Sequence, residues 1–233
     1  MTAPGAAPLR LLVVGYGRMG KLVEALAPEY GFEPCGRVDI DNASVPERWP
    51  QADVAVDFST ASAVAGNARA FAGRGTDLVI GTTGWQAHEA EVRAAIGAHP
   101  IGVVAAPNFA LGVNIFLAVA ARAAALMARR PEFGAWIHEL HHGAKIDAPS
   151  GTAIALRDAM VQAGYAAPID VASTRVGSIP GTHTVGFDGP ADTITLTHTT
   201  RDRSLFARGA LEAARWVHGR RGWFSMKDVL GLD

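Results

Sequence analysis

The chain has 233 residues, 49% of them hydrophobic, and its 21 Lys and Arg residues against 22 Asp and Glu residues give a formal net charge of -1. This balance supplies no electrostatic reason to bind nucleic acid or an anionic membrane, so a small molecule is the expected ligand. The single cysteine, Cys35, excludes an internal disulfide and a site with several thiolate ligands, which fits a reducing cytoplasm.

The N-terminal tail, residues 1–8, lacks the charged and apolar regions of a secretion signal. The longest apolar stretch, residues 101–126, is interrupted by Pro107, Asn108, Gly112, Asn114 and Arg122. These interruptions predict a strand, a loop and a helix rather than a membrane span. We therefore expect a cytoplasmic protein without a membrane partner.

The first part of the chain has the pattern of a parallel sheet. Residues 9–31 run from a continuous apolar stretch through a glycine-rich turn into a helix-competent segment. Four further strands are predicted at residues 32–39, 52–60, 76–84 and 99–108, with Ala-rich helical segments after the second, third and fourth strands. This alternation predicts an α/β fold with a Rossmann-like, doubly wound parallel sheet.

A second, α+β region is predicted after residue 108. It contains a long helix at roughly residues 114–130, a short strand at 133–142, a helix at 151–164, and segments 171–189 and 192–201 that alternate like antiparallel strands. A late amphipathic helix, residues 204–222, is expected to return to the first lobe. The prediction is a dinucleotide-binding domain of residues 1–109 and 204–233, and a substrate-binding and oligomerisation domain of residues 110–203.

The turn after the first predicted strand, GYGRMG, has the spacing G-x-G-x-x-G. Gly15 permits the tight turn, Gly17 lets the backbone approach a pyrophosphate, and Gly20 allows the helix to pack closely on the sheet. The N-terminus of that helix offers N–H groups to phosphate. We favour a dinucleotide site over a glycine turn without a ligand.

The choice between NADH and NADPH is left open by three charged residues. Asp39, about twenty residues beyond the loop, is placed to bind the adenosine ribose, and its charge opposes a 2'-phosphate. Arg18 and Arg37 argue in the opposite direction. A solvated carboxylate at a strand end is the alternative interpretation of Asp39.

The segment HELHH, residues 138–142, matches the zinc-hydrolase pattern H-E-x-x-H, which requires a helix. Pro131, Gly134 and Gly143 leave too little room for one. In an extended strand His138 and His142 lie roughly 13 Å apart, too far to share an ion. No metal site is therefore predicted.

A basic cluster remains at the end of that strand. It contains His141, His142 and Lys145, and it is followed by a helix that Ser150 can cap. The N–H groups of Gly151 and Thr152 offer a site for an anion. Neighbouring positive charges ease the release of a proton near neutral pH, which suits general acid catalysis on a substrate with carboxylates. Solvated polar residues beside an ordinary capped helix are the alternative.

The stretch ELHHGAKIDAPSGTA, residues 139–153, resembles the E-x-H-H-x-x-K-x-D-A-P-S-G-T-A signature of the 4-hydroxy-tetrahydrodipicolinate reductase, or dihydrodipicolinate reductase, family. The similarity extends over essentially the whole chain, since VVGYGRMG, VDFST, VIGTTGW, APNFALGVN, GTHTVGF and RSLFARGALEAARW follow in the family's order. It implies NAD(P)H-dependent reduction of 4-hydroxy-tetrahydrodipicolinate to tetrahydrodipicolinate with loss of water, in lysine and diaminopimelate biosynthesis. It also implies a homotetramer.

The resemblance assigns a role to each matching residue. The pyrophosphate contacts would come from Gly15, Tyr16, Gly17, Arg18 and Met19, and Asp39 would hold the ribose. The nicotinamide half would lie along Gly81, Thr82, Thr83, Ala106, Pro107, Asn108 and Phe109. His141 would donate or accept the proton, and Lys145 would be a second proton donor. His142, Gly151 and Thr152 would bind the carboxylates of a cyclic dicarboxylate.

Two departures from the family pattern stand in this sequence. The glycine loop is one residue shorter than in many members, and Ala110 replaces the usual serine, which removes a hydroxyl near the cofactor. A protein that kept the nucleotide-binding fold and lost the chemistry, with a regulatory or scaffold role, is the alternative function.

Overall fold

A computed structural model describes residues 7–232, so the predicted absence of a secretion signal falls largely outside the described residues. The chain divides into two compact units, one of Met1–Leu111 with Ser204–Asp233 and one of Gly112–Arg203. Within the described range, no helix is both long enough and apolar enough to cross a membrane.

The helices and strands are numbered in chain order. They are β1 (Leu9–Val14), α1 (Arg18–Leu26), β2 (Phe32–Val38), β3 (Val54–Asp57), α2 (Val64–Arg74), β4 (Asp77–Ile80), α3 (Glu89–Ala98), β5 (Gly102–Ala105), α4 (Leu111–Met127), β6 (Gly134–His141), α5 (Gly151–Gln162), β7 (Ile169–Arg175), β8 (Thr182–Asp188), β9 (Thr193–Thr199), α6 (Ser204–Val217), β10 (Gly222–Phe224) and α7 (Met226–Leu230).

The first unit is built on a six-stranded sheet in the order β10-β5-β4-β3-β1-β2, with every pairing parallel. Alternate side chains of β1 enter two different cores, Leu12 and Val14 beside α2 and α3, and Leu11 and Val13 beside α1 and α6. Both faces of the sheet are therefore covered, which explains the continuous apolar runs. The predicted doubly wound sheet is confirmed.

One expectation for this unit was wrong, and one strand was not predicted. The connection after β2 holds a 3-10 turn at Pro46–Arg48 and no α-helix. Its prolines, Pro46 and Pro50, lack the N–H group that a helix interior needs. The sixth strand, β10, was missed because a three-residue strand carries too little alternation to stand out.

The second unit contains a mixed sheet in the order β7-β6-β8-β9. The β6–β8 and β8–β9 pairs are antiparallel as expected, but β7 runs parallel to β6, so the antiparallel expectation was wrong for that strand. The reason is the crossover through α5, since parallel strands need a long connection that returns the chain to the same end. The long helix α4 also begins three residues before the predicted position.

One face of this sheet packs against α4 and α5, where Phe116, Ala120, Leu156, Met160 and Phe187 form the buried core. On β9 the other face exposes a row of threonines, and some of them bond across the strand pair, as between Thr184 and Thr197 (Oγ1–Oγ1 3.0 Å). We call this second face the open sheet face. Its exposed threonines are Thr193, Thr195, Thr197 and Thr199.

Candidate functional site

The glycine loop lies where β1 ends, beside the point at which the sheet order reverses. Gly15 has a φ of 81°, and a Cβ there would lie 2.5 Å from the carbonyl oxygen of Phe58. A Cβ on Gly20 would lie 2.2 Å from the oxygen of Gly15. Packing within the protein therefore requires both glycines, and their predicted structural roles agree with the geometry.

Gly17 differs from those two glycines. It is the N-cap of α1, where no described side chain caps the helix, and an added Cβ would meet no atom of the described chain within 4 Å. Protein packing thus does not explain this glycine. Open space before an uncapped helix N-terminus fits a pyrophosphate, because free N–H groups and the helix dipole favour an anion there.

The residues around Asp39 form a hydrogen-bonded group at the end of β2. The Asp39 carboxylate accepts from the N–H of Ile40 at 3.0 Å. Arg37 donates twice to Glu24, at 2.8 and 2.7 Å, and its guanidinium lies 3.8 Å from the ring centre of Tyr16. Tyr16 donates to the same carboxylate at 2.5 Å. Arg37, one of the two arginines considered for a 2'-phosphate, is therefore paired with Glu24. The sequence analysis did not predict this ion pair.

The segments expected along the nicotinamide half follow β4 and β5 at the same edge of the sheet. Buried Asp57, at the end of β3, organises this edge by accepting hydrogen bonds from Ser59 (N 2.8 Å, Oγ 2.6 Å), Asn67 (2.9 Å) and Thr82 (3.0 Å). The Thr82 hydroxyl is thus used inside the protein. Asp57 was not predicted as a site residue. The sequence did contain an indication of it, because Asp57 directly follows three apolar residues of a predicted buried strand.

Several of the other predicted residues serve packing as well. A Cβ on Gly81 would lie 2.2 Å from the ring of Phe58, and the rings of Phe58 and Phe109 lie 6.4 Å apart, edge to face. Ala110 is fully buried, and its N–H donates to Asn108 Oδ1 at 2.8 Å. The alanine at this position therefore adds no exposed surface.

In the second unit, the segment that resembled a zinc motif lies on the strand β6 as far as His141, in agreement with the predicted strand, and His142 follows directly after it. Residues alternate across it, so that Glu139 and His141 share the buried face while His138 lies on the opposite one and contacts Thr174 (Nε2–Oγ1 2.9 Å). No helical turn brings His138 and His142 together. Nδ1 of His141 is hydrogen bonded to Oε2 of Glu139.

Glu139 is the centre of a buried network. Its side chain is fully buried, and Arg175 donates to both of its oxygens, at 2.6 and 3.0 Å, while the N–H of Ser150 lies 3.3 Å from Oε1. Burial raises the pKa of Glu139, but hydrogen bonds from Arg175, Ser173 and His141 outweigh it and lower that pKa to about 2. The carboxylate is therefore ionised at neutral pH.

A second buried histidine, His183, approaches from β8. Its ring meets the ring of His141 edge to face at 5.1 Å, and its Nε2 lies 2.9 Å from Oγ of Ser150. Ser150 also accepts from the N–H of Ala153 at 3.2 Å, which confirms the predicted helix cap. Burial, with the nearby His141, lowers the pKa of His183 to about 4, so this ring is neutral at neutral pH. Sequence reasoning missed His183.

The remaining predicted residues lie in the loop after β6 and at the start of α5. Nζ of Lys145 pairs with both oxygens of Asp147, at 2.6 and 2.8 Å, and the carbonyl of His142 accepts from the Lys145 N–H at 3.1 Å. Gly151 and Thr152 form the first turn of α5, where a Cβ on Gly151 would meet no described atom within 4 Å. This helix N-terminus also fits an anion.

Among residues 7–232, one group of side chains has metal-ligand spacing, namely Glu139, His141 and His183, whose donor atoms lie within 4.8 Å of one another. The Glu139 oxygens already accept from Arg175 and His141. The positive charge of Arg175 beside them opposes a further cation. The arrangement therefore suits proton transfer better than metal binding.

A parallel sheet with a glycine-rich loop at its switch point, in one chain with a buried acid–base cluster, defines a Rossmann-type oxidoreductase of two units. Family models for the N-terminus and the C-terminus of dihydrodipicolinate reductase match residues 9–109 and 112–230. The chain belongs to the dihydrodipicolinate reductase family, as its resemblance to that family predicted.

Individual relatives agree with this assignment. The chain is 39% identical to a 4-hydroxy-tetrahydrodipicolinate reductase from Acidiphilium cryptum, over 97% of this chain and 99% of that one. It is 32% identical to the enzyme of the same name from Christiangramia forsetii, over 95% and 98%. A dipicolinate-bound dihydrodipicolinate reductase from Paenisporosarcina sp. TG-14 has the same fold, with a TM-score of 0.76 and 21% identity over 94% of this chain and 97% of that one.

Proposed function

We propose that the protein is an NAD(P)H-dependent oxidoreductase that reduces 4-hydroxy-tetrahydrodipicolinate to tetrahydrodipicolinate with loss of water, in lysine and diaminopimelate biosynthesis. The observation that carries this proposal is that both units match the family, and that each holds its own candidate group: the glycine loop in one and the buried His141 cluster in the other.

The cofactor is NADH or NADPH, which supplies a hydride when bound. We assign its pyrophosphate to the open space at Gly17 and the N-terminus of α1, because Gly17 is the one of the three loop glycines that no contact with the described chain requires. Asp39 is assigned to the adenosine ribose. The segments 81–83 and 106–109 are assigned to the nicotinamide half, since they follow neighbouring strands at the same sheet edge.

The substrate ring gains one hydride and one proton and releases one water, so the protein has to supply a proton. We assign this proton to Nε2 of His141, because Nδ1 of the same ring is held by Glu139. Lys145 is assigned as a second proton donor. Its ion pair with Asp147 fixes the position of the ammonium group in the loop after β6.

The substrate class that we propose is a cyclic dicarboxylate. Dipicolinate, the ligand of the structurally similar reductase, is such a compound. In this chain His142, together with the N–H groups of Gly151 and Thr152 at the start of α5, is assigned to the carboxylates, since these groups suit anions.

We further propose a cytoplasmic homotetramer. The open sheet face supports self-association, because its exposed threonines lie on β9, an edge strand of the four-stranded sheet, where a second copy can pack. Light scattering of the purified protein tests the tetramer, and a monomer at micromolar concentration would contradict it.

The deciding experiment is an assay of nucleotide oxidation with substrate freshly made from pyruvate and aspartate semialdehyde, using NADH and NADPH in parallel. Turnover with at least one nucleotide is expected. Nucleotide binding without turnover would favour a protein that kept the fold and lost the chemistry.

A further inference from the structure

The proton that His141 would donate depends on which ring nitrogen carries it. Glu139 and His141 are two residues apart on β6, so the strand places both side chains on its buried face. An ionised carboxylate can only accept hydrogen bonds, so the Nδ1 atom that contacts Glu139 must carry a hydrogen. Nε2 is then the atom left to exchange a proton with a ligand.

Arg175 explains why a carboxylate can stay ionised in this position. It lies at the end of β7, directly opposite His141 in the parallel β6–β7 register, and it donates to both oxygens of Glu139. Arg175 also donates to the carbonyls of Asp147 at 2.6 Å and Thr174 at 2.9 Å. These four bonds from a planar guanidinium hold the pair in a single geometry.

We propose that Glu139, anchored by Arg175, is a positioning residue that fixes the tautomer of His141 and keeps Nε2 of that ring as the proton-donating atom. This inference rests on the proposed function for its catalytic meaning. The hydrogen-bonded geometry can be tested independently of turnover.

The charges around His141 determine how Glu139 acts. The groups that face it are Glu139 on its own strand, Lys145 in the following loop, Arg175 on β7 and the neutral His183 on β8. Burial lowers the pKa of His141, and Lys145 and Arg175 lower it further, whereas Glu139 raises it. Among these groups Glu139 alone is negative, so removing its charge lowers the His141 pKa and leaves less imidazolium at neutral pH.

The first test is Glu139→Gln, which keeps the shape and an oxygen acceptor but removes the charge. We expect kcat at neutral pH to fall about tenfold, and the loss of kcat with rising pH to begin about one unit lower. The affinity for NADH should stay within about twofold of the original, since the glycine loop is in the other unit. Glu132→Gln, an exposed change before β6, is the matched control and should alter neither quantity.

The second test covers the case in which Glu139→Gln folds poorly because Arg175 loses the carboxylate that it pairs with. Glu139→Gln with Arg175→Gln removes both charges together, and nitrogen NMR of ¹⁵N-histidine-labelled protein reports the tautomer of His141 directly. In the unaltered protein we expect the tautomer with hydrogen on Nδ1, and in the double variant a mixture of both tautomers.

The outcomes separate this inference from the proposed function. A hydrogen on Nε2 alone in the neutral ring of the unaltered protein would overturn the inference, whatever the activity. An unchanged pH profile in Glu139→Gln would also overturn it. Absence of turnover with either nucleotide would refute the reductase instead, while the predicted tautomer would still support the positioning of the ring.

Discussion

The two units build their candidate binding groups by opposite means. The glycine loop depends on the absence of a side chain. Gly17 leaves open space at the N-terminus of α1, and the negative charge has to come from the ligand. The cluster around His141 uses buried charged side chains that satisfy one another, with Glu139 fully buried between a cation and an imidazole. A substitution that adds atoms is therefore expected to impair binding at the glycine loop of the first unit. A substitution that removes atoms is expected to impair the His141 cluster of the second unit.

The largest effect should follow from removing the proton donors. His141→Gln should lower kcat by about 10²–10⁴, the usual contribution of general acid catalysis, and Lys145→Met should also lower it. NADH binding, measured by fluorescence titration, should be nearly unchanged. Lys227→Met, on exposed surface, is the control for loss of a lysine. Full activity in both His141→Gln and Lys145→Met would refute the proposal that these two side chains donate protons.

The next largest effect concerns stability. A buried His183 with a pKa of about 4, against 6.5 for an ordinary histidine, binds fewer protons when folded than when unfolded between those values. Protonation of His183 therefore leaves the free energy of unfolding unchanged above pH 6.5, and it lowers that free energy by on the order of 3 kcal/mol as the pH decreases from 6.5 towards 4. Urea unfolding between pH 4 and 7 measures this slope. His183→Asn should flatten it, and an equally steep slope in that variant would contradict the assignment.

Adding atoms to the glycine loop should weaken nucleotide binding. Gly17→Val fills the open space before α1, and we expect a loss of about a hundredfold in NADH affinity, equivalent to about 3 kcal/mol. The unfolding midpoint should change little, because a Cβ at this position meets no described atom within 4 Å. Gly66→Val, at an exposed glycine of α2 that also has free space, is the matched control. Equal losses in both variants would show that Gly17 has no special relation to the nucleotide.

The smallest expected effect is on the choice of nucleotide. Glu24→Gln removes the charge that pairs with Arg37, so the guanidinium becomes freer to meet a 2'-phosphate. The ratio of NADPH to NADH affinity should rise by a few-fold, roughly the value of a partly exposed ion pair. Side-by-side titrations measure the ratio. A fall in the ratio would mean that Glu24 orients Arg37 towards the phosphate rather than away from it.

Local pattern was sufficient for much of the fold and for part of the site. Apolar runs separated by helical segments predicted the parallel sheet, the short spacing between Gly134 and Gly143 predicted a strand in place of a zinc helix, and Ser150 was recognised as a cap. Each of these features depends on neighbouring residues. The direction of β7 and the short edge strand β10 depend on distant pairing and were not predicted correctly.

The sequence by itself determined the glycine loop, the strand that carries Glu139 and His141, and membership of a family with a known set of site residues. Tertiary structure alone decided the partners: Arg175 for Glu139, His183 for Ser150 and Glu24 for Arg37. The first partnership joins the paired strands β6 and β7, and the second joins β8 to the N-cap of α5. Both join residues more than thirty positions apart, which no local sequence pattern can predict. Buried charge depends on its neighbours in space, so the chemistry of this cluster follows from the packed sheet.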